Sequence, residues 1–290
     1  KLQEGIRIFS QNWGSSRLNN YRMDVWEALE TVMAKRFQVE AAALCSSGLV
    51  AGQTALQYIS QKRPDARISL APQTHPALWR HPHKPSLGSF SEWKKDAEIL
   101  CMDGIGAPWV TEFLTGFEQK LAPTQTLIVD ESHRLGIVST HIKTSAQLIQ
   151  TSSLSKAFGI PAGIILGKKA DIDSIKKDPF WVGGSPANPA FVHACLHAQE
   201  AYDERINESQ TIAAAFTKNA TNVQKVENYP AFSSADPKLF EHLKSHGFLC
   251  NQFAYPDPNA APICKAILPT WLRLHDIEDL IQALYTYEID

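Results

Sequence analysis

Two short stretches hold residue types that could do chemistry. In "LIVDESHRLG", residues 127–136, an apolar run ends in Asp130-Glu131, and His133 follows three positions after the aspartate. A polar strand exit or a metal site could each present that pattern. In "TSSLSKAFGIPAGIILG", residues 151–167, Lys156 follows a hydroxyl-rich turn. On its own Lys156 reads as a surface lysine in a Gly/Ser loop. Together the stretches supply the set that pyridoxal chemistry needs. A lysine amine forms a Schiff base with the cofactor's aldehyde, and a carboxylate beside the pyridine nitrogen keeps that nitrogen protonated. Opposite charge within a few Å favours the charged form of its partner, which is the physical case for Asp130.

The elements needed to position these residues are legible in the hydrophobic pattern. Asp24 and Glu27 have capping-box spacing, and Val25, Trp26, Leu29, Val32, Met33 and Phe37 then give one apolar helical face. An apolar piece over 41–45 leads into Ser46-Ser47-Gly48 and a helix through about Ile59. Brief strand-like runs follow at 67–71, 97–102, 126–129, 148–151 and 163–166, with helix expected between them, as over 110–121. Short apolar strands alternating with helices predict an α/β fold with a mostly parallel sheet covered on both faces. Such sheets bind ligands at the carboxyl ends of their strands. Asp130 to His133, Ser47-Gly48 and Ser153 to Lys156 all stand at such ends. From Asn188 one long helix is expected through Tyr202, and the last part of the chain reads as a smaller α+β unit with helix at 240–246, strand, and helix at 277–284. The expected division is an N-terminal segment and helix over 1–38, a large α/β domain over 39–205 and a small C-terminal domain over 206–290.

Composition excludes several classes. With 290 residues, 44% hydrophobic and 20% charged, the chain can bury a large core. A net charge of -2, from 28 basic and 30 acidic residues, argues against a polyanion-binding surface, so no nucleic-acid partner is expected. No apolar run approaches the roughly 18–20 residues of a membrane span. The five cysteines, Cys45, Cys101, Cys195, Cys250 and Cys264, are scattered and form no C-x-x-C pair. That favours buried thiols in a reducing cytoplasm over disulfides or zinc. His81 and His83 in "RHPHKP" look like a ligand pair, but a solvated Pro-rich loop is the expectation. Beginning at Lys1, the chain is expected to be trimmed at its N-terminus.

The pattern D-E-x-H-x-x-G followed by S-x-S-K-A-x-G resembles the α-oxoamine synthases, which are fold-type I pyridoxal-phosphate transferases. "CSSGLVAGQTAL", "APQTHPALW" and "CMDGIGAP" resemble further family segments. The likeness runs from about Gly14 to Leu284 and is strongest over 101–107 and 129–159. It implies a seven-stranded-type sheet flanked by helices and bound pyridoxal 5'-phosphate. It also implies roles. Lys156 carries the Schiff base and moves the α-proton, Asp130 pairs with the pyridinium nitrogen, and His133 hydrogen-bonds the ring oxygen. His75 stacks on the ring. Ser153 binds the phosphate together with Ser47, Gly48 and Leu49, at a helix N-terminus whose free N–H groups favour an anion. Ser185, in "VGGSPANPA", resembles a residue that reaches the neighbouring subunit's phosphate, implying a homodimer with shared sites.

The resemblance implies condensation of an amino acid with an acyl-CoA, losing CoA and usually CO2; in the biotin-pathway branch the pair is alanine and a pimeloyl group. Transamination, or an aldolase or lyase step, would use the same lysine and aspartate. A non-catalytic relic that keeps the cofactor is a third reading, and the intact Asp130–Lys156 pair counts against it. The chain also departs from the family. Only 26 residues separate His75 from Met102, the segment from His133 to Lys156 is abbreviated, Trp26 stands where a histidine is usual, and Ile105 replaces the second aspartate of M-D-G-D. Lys265 takes the place of the carboxylate-binding arginine, and a lysine lacks the two-pronged grip of guanidinium. Arg17 or Arg273 could serve instead.

Overall fold

A computed structural model describes residues 1–9, 24–79, 90–106, 111–137, 141–184, 186–219, 223–226, 229, 231–248, 251–253, 263–267 and 274–289. Along the chain, α1 (Leu2–Phe9) and α2 (Asp24–Arg36) precede β1 (Ala41–Cys45), α3 (Gly48–Lys62), β2 (Ile68–Leu70) and β3 (Ile99–Asp103). The small strands β4 (Ile105–Gly106) and β5 (Thr111–Glu112) come next, then β6 (Thr126–Asp130) and β7 (Gln147–Ser153). One turn of helix, α4 (Leu154–Ala157), joins β7 to β8 (Gly163–Gly167), and α5 (Lys169–Ile175), α6 (Pro179–Gly183), α7 (Pro189–Leu196) and α8 (Gln199–Asn219) follow. The C-terminal part contains β9 (Gln224–Lys225), β10 (Ala231–Ser234), α9 (Pro237–Ser245), β11 (Asn251–Phe253), β12 (Ile263–Ile267) and α10 (Leu274–Ile289).

The main sheet has the order β1-β8-β7-β6-β3-β2. Strands β2, β3, β6 and β7 pair in parallel, whereas β8 is antiparallel to both β7 and β1. The exception has a simple cause. A parallel return needs a crossover of roughly a dozen or more residues, and only residues 154–162 separate β7 from β8. Six strands stand in this sheet where seven were expected, among the described residues. The abbreviated segment between β2 and β3 leaves β2 at the edge.

Alternation along the strands explains the two covered faces. In β1, Ala42 and Leu44 pack with Trp26, Leu29 and Met33 of α2, while Ala43 and Cys45 face Ala51, Ala55 and Ile59 of α3. In β8, Ile164 and Leu166 join the α2 side and Ile165 the α3 side. Side chains alternate with a period of two, so a strand buried on both faces must be apolar throughout. Among the described residues no helix is long and apolar enough to cross a membrane.

Three sequence expectations need correction. Residues 110–121 are not one helix: β5 pairs back on β4, Gly116 takes φ 93°, and a 3-10 turn spans Phe117–Lys120. The helix-like apolar spacing there instead serves a cluster in which Phe113 and Leu121 pack against Trp93 and Leu100. The long helix from Asn188 is broken at His197-Ala198 into α7 and α8. Helix α9 starts at Pro237, before the expected 240, because Asp236 caps it by accepting the Lys238 N–H at 2.9 Å. The same aspartate- or asparagine-proline signature starts α6 at Asp178 and α7 at Asn188.

The C-terminal strands form a separate antiparallel sheet, β11-β12-β10-β9. Its own apolar cluster joins Phe232 to Leu239 and Leu243 of α9 and to Leu280, Ala283 and Leu284 of α10.

Candidate active site

The carboxyl ends of β1, β3, β6 and β7 open on one pocket of about 260 Å3. Ser47, Gly48, Leu49, His75, Asp103, Ile105, Asp130, Ser132, His133, Ser153 and Lys156 line it. Eight of the residues expected from sequence therefore meet, although they are scattered from 47 to 156 in the chain.

Each is held by a local device. Ser47 caps α3 by accepting the Val50 N–H at 3.2 Å, so the first turn of a fifteen-residue helix faces the pocket. Free N–H groups and the helix dipole make that terminus an anion site. Two glycines let the backbones close around it. A Cβ on Gly48 would lie 2.7 Å from the Cβ of Ser153, and one on Gly163 would lie 2.0 Å from the Ser47 carbonyl oxygen. Ser153 caps α4, and its Oγ lies 2.7 Å from the Oγ of Ser155.

The turn after β6 is tied to the lysine loop. Asp130 is buried, its Oδ1 accepting the Ser132 N–H at 2.8 Å, while Ser132 Oγ accepts the Ser153 N–H at 2.8 Å. Lys156 is half-buried, and desolvation lowers its proton affinity below the usual lysine range; the charges of Asp130 and Asp103 oppose that fall. His75 Nδ1 accepts the Ala77 N–H at 3.1 Å, which places a neutral ring's proton on Nε2. The same nitrogen is 4.0 Å from Asp130 Oδ2, a proximity that this tautomer does not turn into an ion pair. His133 lines the pocket, and its backbone carbonyl accepts a hydrogen bond from Tyr229 Oη.

Beneath the turn Glu131 is fully buried. It meets Arg134 Nη1 at 3.2 Å and accepts from Gln150 at 3.3 Å. Burial pushes its carboxyl up to about 7, against the lowering effect of Arg134.

Three lining residues escaped sequence reasoning: Asp103, Ile105 and Ser132. Asp103 ends β3 as Asp130 ends β6, and the two lie in register on neighbouring parallel strands. The signal was available, since both close an apolar run. Ser132 is an unremarked serine between two conspicuous residues, and nothing in its spacing announces a cross-link. Arg17, Ser185 and Arg273 lie outside the described residues, as do His81 and His83. Lys265 lies on β12, opposite Ser233 and Asn251 in the C-terminal sheet.

Comparison with known proteins gives the arrangement its context. No family model matches the chain. A curated 8-amino-7-oxononanoate synthase from Thermosipho melanesiensis is 28% identical over 308 aligned positions, covering 90% of this chain and 75% of the relative. One from Petrotoga mobilis is 25% identical, covering 99% and 84%. The chain is thus similar over most of its length to 8-amino-7-oxononanoate synthases. Solved structures share the fold. An 8-amino-7-oxononanoate synthase from Francisella tularensis superposes with a TM-score of 0.73 at 18% identity, covering 100% of this chain and 93% of that one. A serine palmitoyltransferase from Sphingomonas wittichii gives 0.68 at 13% identity, covering 98% and 82%.

A serine palmitoyltransferase structure that superposes with a TM-score of 0.70 at 10% identity, covering 98% of this chain and 82% of that one, holds pyridoxal phosphate as an internal aldimine. The pocket fits that cofactor chemically. It offers a helix N-terminus and hydroxyls for a phosphate, a half-buried amine for an aldehyde and a buried carboxylate for a pyridinium.

Proposed function

We propose that this enzyme condenses an amino acid with an acyl thioester, releasing coenzyme A and CO2, in the manner of an 8-amino-7-oxononanoate synthase. The observation that carries the reading is the convergence of Lys156, Asp130 and the α3 N-terminus on one pocket. Pyridoxal phosphate, when bound, supplies a ring that accepts the electron pair released at the substrate's α-carbon.

The chain's own residues then divide the remaining work. Lys156 anchors the cofactor aldehyde and, once displaced by the substrate amine, takes the α-proton on Nζ. Desolvation lowers its proton affinity, which favours the neutral amine that this step needs. Asp130, fixed by Ser132, holds a negative charge against the pyridine nitrogen. His133 donates to the ring oxygen, and His75 covers one ring face. Ser47, Gly48, Leu49 and Ser153 bind the phosphate. Arg17, Lys265 or Arg273 meets the substrate carboxylate.

A homodimer in which Ser185 reaches the neighbouring phosphate site belongs to the same proposal, with a cytoplasmic location and the division at about residues 38 and 205.

The test is a thiol assay with the reconstituted protein, L-alanine, glycine or L-serine, and a series of acyl-CoAs. Release of free thiol should require both substrates together. Conversion of a 2-oxo acid to an amino acid without any CoA would overturn the synthase reading in favour of an aminotransferase.

A further inference from the structure

We propose that Asp103 is a positioning residue for Lys156, anchoring His75 through the backbone and meeting the positive charge on the lysine amine whenever that amine is protonated. The inference rests on the synthase reading of the pocket.

Asp103 and Asp130 end adjacent parallel strands in register, and both open on the pocket that Lys156 lines. Each is only 6% exposed. Two buried carboxylates side by side repel one another, so each must answer to something that needs its charge. Asp130 is committed to the pyridine nitrogen. Asp103 Oδ1 accepts the His75 N–H at 3.1 Å, but a backbone N–H can be satisfied by a neutral acceptor. A full negative charge is required only by a cation, and Lys156 is the cationic side chain among the described lining residues.

Among the described residues, the other charged or titratable groups near Asp103 are His75, His133, Glu131 and Arg134. His75 carries its proton on Nε2, and His133 belongs to the turn after β6. Glu131 and Arg134 lie behind Gly104, where an added Cβ would be 2.6 Å from Arg134 Cδ, and they pair with each other. Desolvation disfavours the lysine ammonium, and the two carboxylates oppose that effect.

The need arises at one step. With the cofactor bound, breaking the substrate's α C–H bond would leave the electron pair on the carbon, where the ring could accept it, and would pass the proton to Nζ. A neutral amine would thereby become an ammonium, which desolvation disfavours, with Asp130 already engaged. Asp103 offsets that cost.

Asp103→Asn keeps the shape and the acceptor for the His75 N–H while removing the charge. The measurement is a pH titration of the visible absorbance band of the holoenzyme, which follows protonation at the Lys156 nitrogen. The Asn variant should lower the midpoint by about one unit, a tenfold loss of proton affinity. Its kcat should fall while KM for the amino acid changes little. Asp103→Glu restores the charge and should bring the midpoint back close to that of the unaltered enzyme.

A residue that served only as a backbone anchor would leave the Asn variant at the original midpoint, and that result overturns the proposal. Should the Asn variant fail to fold, Asp103→Ser, which also removes the charge, takes its place: a midpoint lowered by about one unit supports the proposal and an unchanged midpoint overturns it. Absence of any band in the unaltered protein with pyridoxal phosphate would instead overturn the cofactor reading beneath it.

Discussion

In the proposed reaction Lys156 must be neutral to take a proton and charged once it has taken it, and Asp103 and Asp130 line the same pocket. Lys156→Ala should abolish both the visible band of the bound cofactor and all turnover; retained activity would refute its role. Asp130→Asn should fold and bind cofactor yet lose on the order of 100-fold in kcat, since it removes a preorganised charge. Melting of the apoprotein would confirm that the fold survives. Glu131 makes a different prediction. Its folded-state carboxyl is raised from 4.5 to about 7, so the native protein holds a proton there that the unfolded chain releases. Its contribution to stability is therefore full below about pH 4.5 and is lost as pH rises through 7. Glu131→Gln should flatten that part of the decline, read as denaturation midpoints at pH 5 and pH 7.5. An identical slope in the variant would show that Glu131 is ionised throughout.

At the scale of elements, the start of α3 depends on a close passage between strands. Gly163 begins β8 where β8 pairs with the end of β1, Cys45 opposite Gly163. A methyl group there would be 2.0 Å from Ser47 O, so the backbone carrying the helix cap would have to move. Gly163→Ala should cost about 1–3 kcal/mol from overpacking. It should also weaken cofactor affinity at least tenfold, since the displaced segment carries the amides proposed to bind the phosphate. Fluorescence titration with pyridoxal phosphate measures the second effect, and unchanged affinity would disconnect Gly163 from the phosphate site.

For the whole molecule, the main sheet and the C-terminal sheet meet beside the pocket. Tyr229 is 1% exposed and donates to the His133 carbonyl; with Ala231 it packs against Ile137 and against Ile105, which is also a pocket wall. The C-terminal strands thus brace the turn that carries Asp130 and His133. Tyr229→Phe keeps the ring and removes the hydroxyl. Leaving a buried carbonyl unsatisfied should cost about 1–3 kcal/mol in denaturant unfolding and weaken cofactor binding in step. A loss of stability with unchanged cofactor affinity would show that the brace does not reach the site.

The sequence by itself determined the strand ends and their chemistry. Apolar runs closing in Asp130 and in the Ser153–Lys156 loop mark buried strands whose carboxyl ends carry function, because period and polarity are local properties of the chain. It also marked the Ser47-Gly48 helix start, again through local capping chemistry. What it did not supply was anything set by register or by the length of a connection. Asp103 joined the site only when β3 paired with β6 and set it level with Asp130. Ser132 acquired its role only when the Ser153 N–H came within 2.8 Å. The antiparallel course of β8, the broken helix at His197 and the hairpin and 3-10 turn over 110–121 follow from packing. An apolar residue at helical spacing records that it will be buried, while the neighbours that bury it are chosen by the tertiary fold.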